Sequence, residues 1–184
     1  MLCTGNICRS PAAEAMLRHR LEKVGVEAQV RSAGLLDDGR PAHTSSIDTL
    51  AVRGLDITSH RSRRLTASSI RAADLVLGMA REHVREAVVM VPAAFPKTFT
   101  LKELVRRGDA IGPRVGDESV ADWLARAHAG RTSSDLLGES EVDDVADPIG
   151  LPRTAYERMV VELDDQLDRL VALLWAPRYE RSYR

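Results

Sequence analysis

The stretch Met1-Leu2-Cys3-Thr4-Gly5-Asn6-Ile7-Cys8-Arg9-Ser10-Pro11 decides how the rest of this 184-residue chain is read. Ser10 is a favoured helix N-cap, and Pro11 suits the first helical position because its missing N–H costs nothing there. The residues from Cys3 to Arg9 therefore form a loop that opens onto a helix. Its backbone N–H groups and the helix N-terminus converge on one point and favour an anion there. The same field favours thiolate over thiol and lowers the pKa of a cysteine so placed.

Outward from this loop, Ala13, Met16, Leu17, Leu21 and Val24 recur at helical spacing and Gly25 stops the helix. Glu14 falls one residue late for a capping box but suits the helix dipole. Val26, Ala28 and Val30 alternate and predict a strand ending at Ser32-Ala33-Gly34. Loop, helix and strand make most of a βαβ unit. Further helices are predicted at about 43–53, 68–72, 81–86, 99–107 and 119–128. Asp74 to Met79 reads as a buried strand and Val88 to Val91 as the next. Ala155, Met159, Leu163, Leu167, Leu170 and Leu174 form one stripe of a long helix over 153–175, and Pro177 ends it. Alternating strands and helices predict an α/β fold: a three-layer sandwich with a small, mostly four-stranded parallel sheet flanked by helices. The chain is read as one domain over 1–176 with an exposed tail over 177–184.

The chain is 44% hydrophobic and 29% charged, ordinary values for a globular protein. A formal net charge of −1 gives no reason to expect nucleic acid or an anionic membrane as partner. No apolar run reaches membrane-helix length, and the N-terminus lacks a signal pattern, so a cytoplasmic location is expected. The two cysteines, Cys3 and Cys8, provide neither a disulfide framework nor a four-ligand zinc set, and no metal or cofactor is expected.

Chemically, Arg9 supplies a planar fork that pairs two oxygens of a phosphate and stays charged. A thiolate beneath that phosphate is placed for in-line attack and a phosphocysteine intermediate. The string Cys-Thr-Gly-Asn-Ile-Cys-Arg-Ser-Pro resembles the phosphate-binding loop of the low-molecular-weight protein tyrosine phosphatase family, bacterial type. The resemblance implies Cys3 as nucleophile and Arg9 as the transition-state arginine. It implies that Ser10 hydrogen-bonds the thiolate, that Asn6 braces the loop, and that Thr4, Gly5, Asn6, Ile7, Cys8, Arg9 and Ser10 together bind phosphate. It also implies a redox-protective role for Cys8, which can form a reversible disulfide with the nucleophile.

The family's general acid lies in an Asp-Pro pair shortly before its last helix, and Asp147-Pro148 matches that context. Asp143 and Asp144 are nearby alternatives that precede no proline. Ser32-Ala33-Gly34 and His60-Arg61-Ser62-Arg63 resemble two further family segments expected to pack behind or beside the loop, His60 as a hydrogen-bonded structural histidine. A phosphotyrosine-containing protein is the implied partner, with a tyrosine kinase as one candidate.

Two departures qualify the resemblance. The family's first strand is represented only by Met1 and Leu2, so the central strand is expected to be truncated, with upstream codons supplying the rest; each buried apolar residue missing there is worth about 1.5–3 kcal/mol. The cleft wall, aromatic in many members, here falls on Leu35, Leu36, Asp37, Asp38 and Ile149. The alternatives are a protein arginine phosphatase of the same fold, whose members carry Thr where Ile7 stands, or a non-catalytic phosphate-binding module. An arsenate-reductase relay is excluded because it needs a further cysteine.

Overall fold

A computed structural model describes residues 1–175; the tail read over 177–184 lies outside the described residues. Four parallel strands form one sheet in the order β2-β1-β3-β4: β1 (Leu2–Cys3), β2 (Ala33–Gly34), β3 (Val76–Gly78) and β4 (Thr98–Thr100). The helices are α1 (Arg9–Lys23), α2 (Thr44–Ala51), α3 (Ala67–Ala72), α4 (Arg81–Met90), α5 (Leu101–Ile111), α6 (Val120–His128) and α7 (Arg153–Trp175). The expected α/β architecture is present, and β1 is both central and only two residues long.

On one side of the sheet, α1, α5 and α7 share a core built on Met16, Leu21, Phe99, Leu104, Trp123, Leu163, Leu167 and Leu170. The α7 stripe read from the sequence is the buried face of that helix. A second apolar cluster joins Leu2, Ile70, Val76, Ala87 and Val91 and seats α4.

Several elements depart from the sequence reading. Val26 to Val30 is not a strand: Val26 and Val30 pack on the core, while β2 forms only at Ala33–Gly34, paired with Leu2 and Cys3. Among the described residues no strand pairs with 26–31, and an open groove of about 770 Å³ runs between them and the approach to β3, beside Met1. The strand expected at Val88 to Val91 is the end of α4. Val84, Ala87 and Val91 are buried while Val89 is exposed, which is helical and not alternating spacing. The fourth strand lies instead at Thr98–Thr100, where a helix was read from Phe99. Pro92 and Pro96 shape a 3₁₀ turn just before it, and α5 starts after Thr100, whose hydroxyl caps it by accepting from Glu103 N.

The start of α1 is also corrected. It begins at Arg9 rather than after Ser10; Cys8 occupies the N-cap position and no side chain caps the helix. Ser10 is buried and spends its hydroxyl elsewhere. The first-turn N–H groups therefore remain available to an external acceptor.

Candidate active site

The chain leaves β1 and returns first to one side of it, at β2, and then to the other, at β3. Such a reversal of strand order opens a crevice at the carboxyl ends of the strands. Residues 4–8 occupy it, between Cys3 at the end of β1 and the N-terminus of α1. Gly34 permits the fit: a Cβ there would lie 2.9 Å from Asn6 N and from Thr4 O.

Asn6 holds the loop's unusual shape. It is the one non-glycine residue of positive φ among the described residues, at 49°, a conformation Asn tolerates better than most. Its side-chain Nδ2 donates to Ser10 Oγ and Ser32 Oγ, both at 2.8 Å, and its Oδ1 accepts from Arg63 N at 2.9 Å. The carbonyl of Asn6 meets His60 Nε2 at 2.7 Å, the structural role read for that histidine. The Ser-Ala-Gly and His-Arg-Ser-Arg segments thus lie behind the loop and clamp it.

Cys3 is buried, and its Sγ lies 3.0 Å from Ser10 Oγ. That hydroxyl already receives Asn6 Nδ2, so its own proton points either to Ala33 O, 3.5 Å away, or to the nearer sulfur, where it stabilises a thiolate. Cys8 sits in a different environment, packed with Ile7 and Tyr156. Burial pushes its thiol up to about 11, and the nearby Asp147 charge adds to the shift. Cys8 therefore stays a thiol at neutral pH. Tyr156, stacked on His43 with ring centroids 5.0 Å apart, is likewise pushed up to about 12, chiefly by burial.

Arg9 is buried, with Nη1 donating to Val145 O at 3.2 Å and Nη2 to Thr4 Oγ1 at 3.3 Å. The same Nη2 donates to Asp147 Oδ2 at 2.5 Å. Asp147 accepts from Ile149 N at its other oxygen, 3.2 Å away, which turns the Asp-Pro segment back over the loop. The alternatives are engaged elsewhere. Asp143 is buried against Arg81 and Arg106, whose hydrogen bonds outweigh the cost of burial and hold its carboxyl below the usual range. Asp144 accepts from the backbone N–H groups of Arg81 and Ser140.

Above these groups lies a pocket of about 190 Å³ whose floor includes Cys3, Thr4, Gly5 and Arg9 and whose rim includes Leu36, Arg40, Asp147 and Ile149. Of the expected wall, Leu36 and Ile149 line it; Leu35, Asp37 and Asp38 do not, and Asp38 instead accepts from Arg64 N. Arg40 escaped the sequence reading because a lone surface arginine carries no local signature. His83, fully buried against Thr4, escaped it as well. Among the described residues no group of three His, Cys, Asp or Glu is placed to hold a metal ion, and no helix is long and apolar enough to cross a membrane.

The pocket thus sets a cysteine, an arginine and a carboxylate around the N-terminus of α1. The family model described as "Low molecular weight phosphotyrosine protein phosphatase" matches residues 1–117. The chain belongs to that family, and it is a protein phosphatase. It is 39% identical over 178 residues to a probable low molecular weight protein-tyrosine-phosphatase, EpsP, of Ralstonia nicotianae, covering 97% of this chain and 92% of the relative. It is 32% identical over 174 residues to a protein-arginine-phosphatase of Geobacillus stearothermophilus, covering 94% and 93%. Among solved structures, a low molecular weight protein tyrosine phosphatase from T. tengcongensis superposes with a TM-score of 0.70 at 31% identity, covering 92% of this chain and 94% of that one.

Proposed function

We propose that this phosphatase hydrolyses phosphotyrosine on protein substrates, with Cys3 as nucleophile, Arg9 as transition-state clamp and Asp147 as general acid and base. The phosphate sits against the N–H groups of residues 4–10 and the Arg9 fork. Sγ of Cys3 attacks phosphorus, the S–P bond forms, and the P–O bond to the tyrosine ring breaks. Asp147 gives its proton to the departing phenolate oxygen. Water then attacks phosphorus, Asp147 takes back a proton, and cleavage of the S–P bond returns the thiolate and inorganic phosphate.

The contact of Arg9 with Asp147 above Cys3 is the observation that supports this reading most strongly. A dianion entering the cradle competes with Asp147 for Arg9. Once it has Arg9, the Asp147 carboxyl is released beside the departing oxygen, where the leaving group needs a proton. The phosphotyrosine preference rests on the rim. Leu36, Ile149 and Ile7 offer aliphatic surface for a phenyl ring, and Ile7 brings no hydroxyl. The exposed cation Arg40 stands where a guanidinium-based substrate would meet like charge.

The competing substrate is phosphoarginine, on which the Geobacillus relative's name bears. Rates on matched phosphotyrosine and phosphoarginine peptides decide between them. Preference for the tyrosine peptide is expected, and preference for the arginine peptide overturns the substrate assignment. Cys8 is assigned a protective disulfide with an oxidised Cys3, and the protein is assigned to the cytoplasm.

A further inference from the structure

His83 lies in the first turn of α4, outside the loop, and is completely buried. Its backbone is pressed onto the end of β3: a Cβ on Gly78 would come within 3.1 Å of His83 Cβ. Its Nε2 stands 3.0 Å from Thr4 Oγ1 and 3.1 Å from Glu82 Oε1, while Thr4 Oγ1 donates to the same Glu82 oxygen at 3.1 Å. Arg9 Nη2 closes the set by donating to Thr4 Oγ1. Nδ1 has no partner among the described residues.

This donor and acceptor count selects one tautomer. With the proton on Nε2, His83 donates to Thr4 Oγ1, which then accepts from both His83 and Arg9 and donates to Glu82. Nδ1 keeps only a lone pair, the cheaper of the two groups to bury unpaired. With the proton on Nδ1, a buried donor is orphaned at a cost of roughly 1–3 kcal/mol. Burial and the positive charge of Arg9 push the imidazole's pKa down to about 3, so the ring is neutral at working pH. A side chain wanted here only for packing would be Leu or Met, with no polar atom to desolvate. The imidazole earns its place through Nε2.

We infer that His83 is a positioning residue: by donating to Thr4 Oγ1 it fixes the hydroxyl on which Arg9 rests, and so aims the guanidinium at the phosphate above Cys3. Without that donor, Thr4 Oγ1 is anchored only by its bond to the exposed Glu82 carboxylate, and the acceptor on which Arg9 rests is less firmly placed. The two arginine N–H groups that clamp the phosphate are then less well oriented, and the penalty falls on the transition state. The inference rests on the phosphatase reading given above.

The test uses His83→Gln, whose side-chain amide places an N–H close to the original Nε2, and His83→Leu, which fills the space without a donor. Thr4→Val and the Thr4→Val/His83→Leu double variant complete a cycle. Turnover of an aryl phosphate and inhibition by inorganic phosphate are measured on each folded protein. His83→Leu is expected to lose about 10- to 100-fold in kcat, less than removal of a direct transition-state donor. His83→Gln should stay within about threefold of wild type, and the double variant should be no slower than Thr4→Val alone. Full activity in His83→Leu, an equal loss in His83→Gln, or losses that multiply in the double variant would each overturn the inference. If His83→Leu does not fold, the Gln variant still decides, because a Gln variant that folds and loses turnover as deeply as Thr4→Val contradicts donation through Nε2. An inactive wild type would instead refute the phosphatase reading on which the inference stands.

Discussion

Arg9 Nη2 donates to Asp147 Oδ2 at 2.5 Å, joining the first turn of α1 to the segment that leads into α7. The buried guanidinium and the half-exposed carboxylate neutralise each other. On the proposed mechanism, a phosphate competes with Asp147 for Arg9.

Replacement Asp147→Asn removes the competing charge. Because Asp147 is well exposed, the gain for a phosphate ion is modest: about 1 kcal/mol or less, hence up to about fivefold tighter inhibition by inorganic phosphate. Turnover of phenyl phosphate should fall by about 10²–10⁴, while esters of acidic phenols should suffer far less. The check is a leaving-group series, in which the variant shows the steeper dependence on phenol pKa.

Gly34 admits no side chain. Its Cβ would meet the backbone of Thr4 and Asn6 at 2.9 Å, and neither can withdraw without moving the phosphate loop. Gly34→Ala should therefore cost activity out of proportion to stability, with kcat/KM falling by at least about tenfold against a destabilisation of about 1–3 kcal/mol. Steady-state kinetics beside urea denaturation would show it. Unchanged kinetics would mean that the loop is softer than its contacts imply.

The buried His83 also marks the acid limb of stability. Its folded pKa of about 3 lies below the ordinary 6.5, so the stability it confers is present above about 6.5 and drains away as pH falls toward 3. Within that window the slope approaches about 1.4 kcal/mol per pH unit. Urea denaturation at several pH values should show wild type losing stability faster than His83→Gln between pH 6 and 4 (values chosen inside the window). Parallel curves would contradict a neutral buried imidazole.

Cys8, held as a thiol, has no part in the proposed turnover. Cys8→Ala should keep kcat within about threefold of wild type, because a side chain that stays neutral adds no charge to the transition state. After brief peroxide treatment, wild type should recover with dithiothreitol and the variant should not, since its sulfenate has no neighbouring thiol and proceeds to sulfinate. Equal recovery would remove the protective assignment.

How far these features can be read from the chain depends on how local they are. Cys3, Asn6, Arg9 and Ser10 fall within one short stretch, and a loop that opens a helix already brings them together, with the segments around Ser32 and His60 clamping it from behind. Asp147 is remote in sequence, so its place over Arg9 could be reached only through the family resemblance. The strands have two or three residues each, too few for alternation to be seen, which is why Val26 to Val30 and Val88 to Val91 were read as strands and Thr98–Thr100 was not. His83 and Arg40 contribute through neighbours that only the folded chain supplies: Thr4 for the first, the pocket rim for the second.

The central claim is that Cys3 carries the phosphoryl group, and Cys3→Ser tests it most directly. Hydrolysis of an aryl phosphate in the presence of a chelator should be readily measurable for wild type. In Cys3→Ser it should fall by at least about 10³-fold, because a serine hydroxyl stays protonated where a thiolate forms and is a far weaker nucleophile. Equal activity in the two proteins would contradict the account.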